Sequence, residues 1–227
     1  MTITRFARLL GLLAAMLVSP GANAATKADL DQAMSHDGLQ KITVKGVDLA
    51  YARPGATLAG YNRVKVEPVD VAFRKDWDPT RTGSRIKLGS EERENIRTGV
   101  AKIVHEEFVR ELQAKSGYQV VGEAGPDVLR VKVSVVNLYV NAPDTMSPGR
   151  SSTYTVSAGE MTLVAELFDS ETGQIIARVV DRREARNSGT LSFSNSGMNA
   201  SEAQAIASIW ARVLRNGLDK AHGIGKK

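Results

Sequence analysis

The chain of 227 residues contains no cysteine, only three histidines, and few aromatic side chains, 5% of the total. Without cysteine there is no disulfide framework, thiol nucleophile or thiolate metal site, and stability has to come from packing. A lipid anchor of the bacterial lipoprotein kind needs a cysteine just after a secretion signal, so none is expected. Histidine stands only at positions 36, 105 and 222, which leaves little material for a serine triad or a histidine metal centre. Gly-x-Ser-x-Gly, Gly-x-Gly-x-x-Gly and Gly-x-x-x-x-Gly-Lys are all missing, and with them the nucleophile elbow and the glycine-rich phosphate loops. The uninterrupted apolar run at 9–18 holds ten residues, too few to cross a hydrocarbon layer ~30 Å thick.

That run has another use. Arg5 and Arg8 precede it without any acidic residue, Ser19-Pro20-Gly21 breaks it, and Ala22-Asn23-Ala24 follows. A basic start, an apolar middle and a small-x-small end form a secretion signal, with cleavage expected before Ala25. The mature protein is then expected in the periplasm. Cleavage removes Arg5 and Arg8 from 30 basic residues and none of the 25 acidic ones, leaving a net charge of +3. Such a small excess without a basic stripe argues against a nucleic-acid partner.

Residues 25–40 read as a polar leader, 41–223 as one domain, and 224–227 as a tail. Ile42 to Tyr51 alternate in short bursts interrupted by Gly46. Over 61–73 the apolar phase changes at Pro68, from Val64 and Val66 to Val69, Val71 and Phe73, which predicts a bulge or an edge position there. Ser90 is placed to cap a helix whose stripe is Ile96, Val100, Ile103, Val104, Phe108 and Leu112, with Gly117 as its stop. A short strand at 118–121, strands at 128–140 and near 161–167, a tight turn at 169–173 and a return at 174–182 follow. Ser201 and Gln204 have the spacing of a capping box for a last helix with Ile206, Ile209, Trp210, Val213, Leu214 and Leu218 buried. This order predicts an α+β fold, a mostly antiparallel sheet of four to five strands with both helices on one face.

Several stretches together resemble the bacterial envelope proteins grouped as domain of unknown function 3313. They are Val47-Asp-Leu-Ala-Tyr-Ala-Arg-Pro-Gly55, Tyr61-Asn-Arg-Val-Lys-Val-Glu-Pro68, Trp77, Glu166-Leu-Phe-Asp-Ser-Glu-Thr-Gly173, and Trp210-Ala211 with Leu214, Leu218 and Asp219. The resemblance spans about 42–222. It implies an envelope protein without an assigned activity; its members are generally predicted to be lipoproteins, and this chain departs from them in lacking the lipobox cysteine.

No catalytic set emerges. His105-Glu106 opens like a zinc-protease motif, but the second ligand position is Val109. Asp169 reads as a turn residue rather than as an acid/base partner of Glu166, and Asp181-Arg-Arg-Glu184 as solvated surface charge. No catalytic, metal or cofactor residues are assigned, and an enzyme is not expected. Two long polar loops, 74–89 and 141–159, remain. In the first, Arg74, Trp77, Arg81 and Arg85 form a candidate contact for an envelope protein, since Trp and Arg dominate interface hot spots; alternatively Trp77 folds back as core. In the second, Met146, Arg150 and Tyr154 mark a weaker candidate. The leading expectation is a non-enzymatic protein–protein interaction or assembly module acting through the Trp77 loop and a sheet edge. The alternative is a binder of a small or anionic envelope ligand, a lipid or glycan fragment, held between sheet and helices.

Overall fold

The computed structural model describes residues 34–77, 89–115, 117–140, 153–155, 159–184, 192–194 and 196–224. The strands are β1 (Gln40–Ile42), β2 (Leu49–Ala52), β3 (Arg63–Val66) and β4 (Asp70–Phe73), then helix α1 (Ser90–Gln113). They continue with β5 (Gln119–Val120), β6 (Val128–Val140), β7 (Thr153–Thr155), β8 (Gly159–Asp169), β9 (Ile175–Glu184) and β10 (Ser192–Ser194), followed by helix α2 (Ser196–Ala221).

The α+β class holds, but the sheet is larger than expected and mixed. Eight strands run in the order β1-β2-β9-β8-β6-β3-β5, with β4 also on β6, and β7 pairs with β10 apart from them. The β1–β2, β2–β9, β9–β8 and β8–β6 pairs are antiparallel, whereas β3 and β4 run parallel to β6 and β5 runs parallel to β3. The reason lies in the connection. Residues 61–73 are followed by a long helix rather than a hairpin turn, and a helical crossover is what allows a chain to return in the same direction. Alternation within each strand carries no record of that direction.

Two bulges set which side chains face the helices. Val66 lies opposite Val131 and Asp70 opposite Ser134, four steps against three, so one extra residue is accommodated around Pro68. This is the bulge expected from the phase change, placed where proline's missing donor is harmless. On β6, Val136 faces Thr162 and Tyr139 faces Glu160, again with one extra residue, and Asn137 takes a φ of 55°. The inward phase therefore passes from Leu129, Val131, Val133 and Val135 to Leu138 and Val140, all buried.

The helix ends depart from expectation in detail. Gly89, not Ser90, is the N-cap of α1, and no side chain caps that end. Helix α2 starts at Ser196, five residues before the expected capping box, so Ser201 and Gln204 lie inside it. At the other end of α1, Lys115 takes the left-handed turn with a φ of 51°. Gly117 serves closeness instead: a Cβ there would stand 2.2 Å from the Leu112 carbonyl oxygen and 2.6 Å from Arg215 Nη1. Arg215 of α2 reaches across to donate to the Glu111 and Ala114 carbonyls at 2.8 and 2.7 Å. The last carbonyls of α1, which an isolated helix leaves unpaired, are thus satisfied by the second helix.

Val104, Phe108 and Leu112 of α1 and Ile206, Ala207, Trp210, Ala211 and Leu218 of α2 are buried in one core with the inward residues of β6 and β8. Leu163, Ala165 and Leu167 of β8 line the same cavity as Phe108 and Trp210. Both helices therefore cover one face of the sheet. Ile209, expected in the α2 stripe, is 36% exposed.

Candidate functional site

The first candidate, the loop after β4, begins with a turn in which Trp77 N–H donates to the Arg74 carbonyl at 3.0 Å. That turn folds the indole inward. Trp77 is 5% exposed, stacks on Phe73 with ring centroids 4.3 Å apart, and donates Nε1–H to the Val140 carbonyl at 3.0 Å. Of the two readings of Trp77, the structure takes the core one, so its ring is not a free anchor for a partner. Arg74 pairs with Asp76 at 2.6 Å and lies 4.1 Å over the Tyr139 ring. Arg81 and Arg85 fall outside the described residues. So do Met146 and Arg150 of the second loop, while Tyr154 belongs to β7.

The second candidate is a cavity of about 260 Å³ between the sheet and the helices. Its floor follows from register. Ala50, Val179, Ala165 and Val133 stand side by side across β2, β9, β8 and β6, and Ala52, Ala177, Leu167 and Val131 form the next row. Alanine occupies β2 in both rows, so the sheet is low where α2 passes over it. The helix brings Trp210, Val213, Leu214 and Gly217 to the roof, and Phe108 of α1 closes one side. Ile42, Val44 and Leu58 form a half-buried to exposed rim. No acidic or basic side chain lines the space. An apolar hollow of this kind excludes ordered water and accepts apolar guests. Sequence reading missed these residues because the alanines join into one surface only once the strand register is known.

The polar side chains near this layer are occupied. Asp181 is 1% exposed, not solvated as expected, and accepts from Trp210 Nε1 at 2.7 Å and from the Asp48 amide at 3.1 Å. It fixes the roof tryptophan. Glu107 is 4% exposed and is bonded by Arg110 on its own helix and by Gln204 of α2 at 2.7 Å. Burial works against its charge, but the bonds from Arg110 and Gln204 prevail and hold its carboxyl below the ordinary range. Asp169 accepts from the Thr172 amide and hydroxyl at 2.8 and 2.7 Å and from the Tyr61 hydroxyl at 3.0 Å. The Thr172 bonds, foremost, hold its carboxyl below its usual value. The same contact and burial push the Tyr61 phenol up to about 12, with burial the larger cause. Glu166 is paired with Arg178 instead, so Glu166 and Asp169 do not act together. Among the described residues no group of three or more His, Asp or Glu side chains could hold a metal ion, and no helix is long and apolar enough to cross a membrane.

The chain resembles several solved structures at low identity. It shares 11% identity and a TM-score of 0.34 with the PelC dodecamer from Paraburkholderia phytofirmans, over 75% of this chain and 95% of that one. With a crystallised protein from Xanthomonas campestris it shares 12% identity and a TM-score of 0.38, over 76% and 91%. No curated protein matches it. The model of the family described as "Protein of unknown function (DUF3313)" matches residues 31–214, and the chain belongs to that family.

Proposed function

We propose that this DUF3313 member is a non-enzymatic periplasmic binding protein that holds an aliphatic chain in the cavity between its sheet and its two helices. The observation that carries the reading is the lining: alanine, valine and leucine from three adjacent strands, roofed by Trp210, Val213, Leu214 and Gly217. A glycan would need polar groups to replace its hydration, and an unpaired buried hydroxyl is costly; this lining offers almost none. At about 260 Å³ the space falls just under the usual range for drug-sized ligands, which suits a single tail. The polar side chains buried beside it, Asp181 and Glu107, are engaged in structural bonds, which supports a binding role over catalysis, and the basic-apolar-small order of residues 1–24 supports export.

Thermal unfolding with 1-decanol tests the proposal. A ligand at about 100 times its Kd stabilises by roughly 2.7 kcal/mol, and for a domain of this size that raises Tm by roughly 5–10 °C. Native mass spectrometry of protein purified from the envelope is expected to show a bound lipid. No Tm shift with any alcohol from six to fourteen carbons, and no bound lipid, would sink the reading.

A second reading keeps the interaction module but moves it from the Trp77 loop to β1. All three residues of that strand are exposed, and among the described residues its strand partner is β2, at the end of the sheet; a terminal strand is where a partner strand can add. A photoreactive residue at Gln40 is then expected to give a discrete protein adduct in cells, and its absence from folded, abundant protein would remove this reading.

A further inference from the structure

We infer that the cavity takes its aliphatic chain from a single-tailed anionic amphiphile, an alkyl carboxylate of medium length, with the head group held at a basic rim. This rests on the binding reading above and adds the charge and size of the ligand.

Size comes first. A cavity of about 150 Å³ lined by aliphatic and aromatic side chains holds benzene, so one of about 260 Å³ accommodates on the order of ten carbon atoms. That suits one medium chain and leaves no room for a second tail.

Charge is the second observation. The segments that flank the mouth, 40–47 and 52–60, contain Lys41, Lys45 and Arg53 and no Asp or Glu. The stretch of α2 that covers them, 205–218, contains Arg212 and Arg215 and again no acid. The carboxylates bordering these segments are already held. Asp48 accepts from the Arg182 amide at 2.9 Å, Asp181 from Trp210 and from Arg183 at 2.5 Å, and Asp219 from the Tyr118 hydroxyl at 2.9 Å and from Arg215 at 3.2 Å. Arg183 and Arg215 are thus matched, and the unmatched charge lies on the 40–47 side. Lys45 is exposed between Val44 and Val47, two residues of the lining, and makes no hydrogen bond or ion pair with any described residue. An ammonium on a flexible stem beside an apolar mouth is suited to meet a carboxylate while the tail is buried. The rim next to it is drawn close: a Cβ on Gly46 would lie 3.4 Å from Val213 of α2, and the Gly46 carbonyl accepts from Arg183 at 2.6 Å. Arg183, whose charge is matched by Asp181 at 2.5 Å, thus pins this end of the mouth and leaves Lys45 as its free cation among the described residues.

The test uses three probes with the same tail and different heads, decanoate, 1-decanol and decyltrimethylammonium, titrated against the full mature protein by calorimetry. Decanoate is expected to bind about tenfold more tightly than decanol at low salt, with the ammonium weakest, and the advantage is expected to shrink as salt rises. Lys45→Glu, an exposed substitution not expected to disturb folding, should remove about tenfold from decanoate affinity and leave decanol unchanged. Equal binding of decanoate and decanol, or a Lys45→Glu variant with unaltered preference, would overturn the inference while leaving the apolar cavity standing. Failure of all three probes to bind would overturn both.

Discussion

Val133, Ala165, Val179 and Ala50 stand in one row across the sheet, yet the two ends of that row are covered differently. At the β6 end the layer is full. Val104, Leu112, Leu129, Val131, Val133 and Val135 have no exposed surface, and α1 packs against β3, β4 and β5. At the β2 end, alanines on the strands and Gly217 on α2 leave about 260 Å³ unfilled. The same two helices on the same face thus make a close-packed region and a hollow one, and the difference lies in side-chain volume at a few positions. Packing at native density resists any loss of volume, whereas a hollow tolerates gain.

The largest effect is expected where the layer is full. Leu112→Ala removes a side chain with no exposed surface and should cost about 2–5 kcal/mol, read as a lower midpoint in urea. A loss under 1 kcal/mol would mean that the α1 side is as loosely filled as the other. Next comes the closed end of α1. Gly117→Ala places a methyl against the Leu112 carbonyl and the Arg215 guanidinium, 2.2 and 2.6 Å away, displacing the donor that serves Glu111 and Ala114. It should cost about 1–3 kcal/mol by the overpacking mechanism.

On the hollow side added volume should be nearly neutral. Ala177→Leu adds volume over the cavity floor and should alter stability by less than about 1 kcal/mol, in either direction. It should also abolish the Tm increase given by decanol. A variant that folds, keeps its stability and still responds fully to decanol would place the ligand elsewhere.

Much of the full side could be read from sequence. The β6 alternation over 128–140, the α1 stripe and the turn at 169–173, where Gly173 takes a φ of 68°, are local patterns in which burial and spacing repeat one another. The bulge at Pro68 was legible because proline and a phase change marked the same place. The hollow side was not. Ala50 and Ala52 lie more than a hundred residues before Ala165 and Ala177 of the β8–β9 hairpin, and alanine is too small to announce either a core or a gap. Asp181 shows the same limit: the charged residues that follow it suggest surface, but it is buried, pairing with Arg183 and accepting from the Trp210 indole of α2. The parallel pairs depended on which side of β6 the returning chain took, and period-two alternation is blind to direction.

The smallest expected effect concerns the seam between the regions, where Gln204 of α2 bonds Glu107 of α1. Glu107 has its carboxyl held below the ordinary value of 4.5 in the folded chain by Arg110 and Gln204, against the opposing pull of burial. A carboxyl with a lowered folded pKa contributes stability that is fully present above its unfolded value and is lost as pH falls through the folded one. The wild type is therefore expected to lose stability below about pH 4.5 more steeply than Glu107→Gln, which keeps the shape but not the charge. Other carboxyls, Asp169 among them, titrate in the same window in both proteins, so the difference between the two unfolding curves isolates Glu107. The decanol response should not follow that difference, because the cavity lining carries no acidic or basic side chain. Parallel loss of stability and decanol response in the wild type alone would show that the seam holds α2 at its height over the alanine floor, making the full side the support on which the hollow depends.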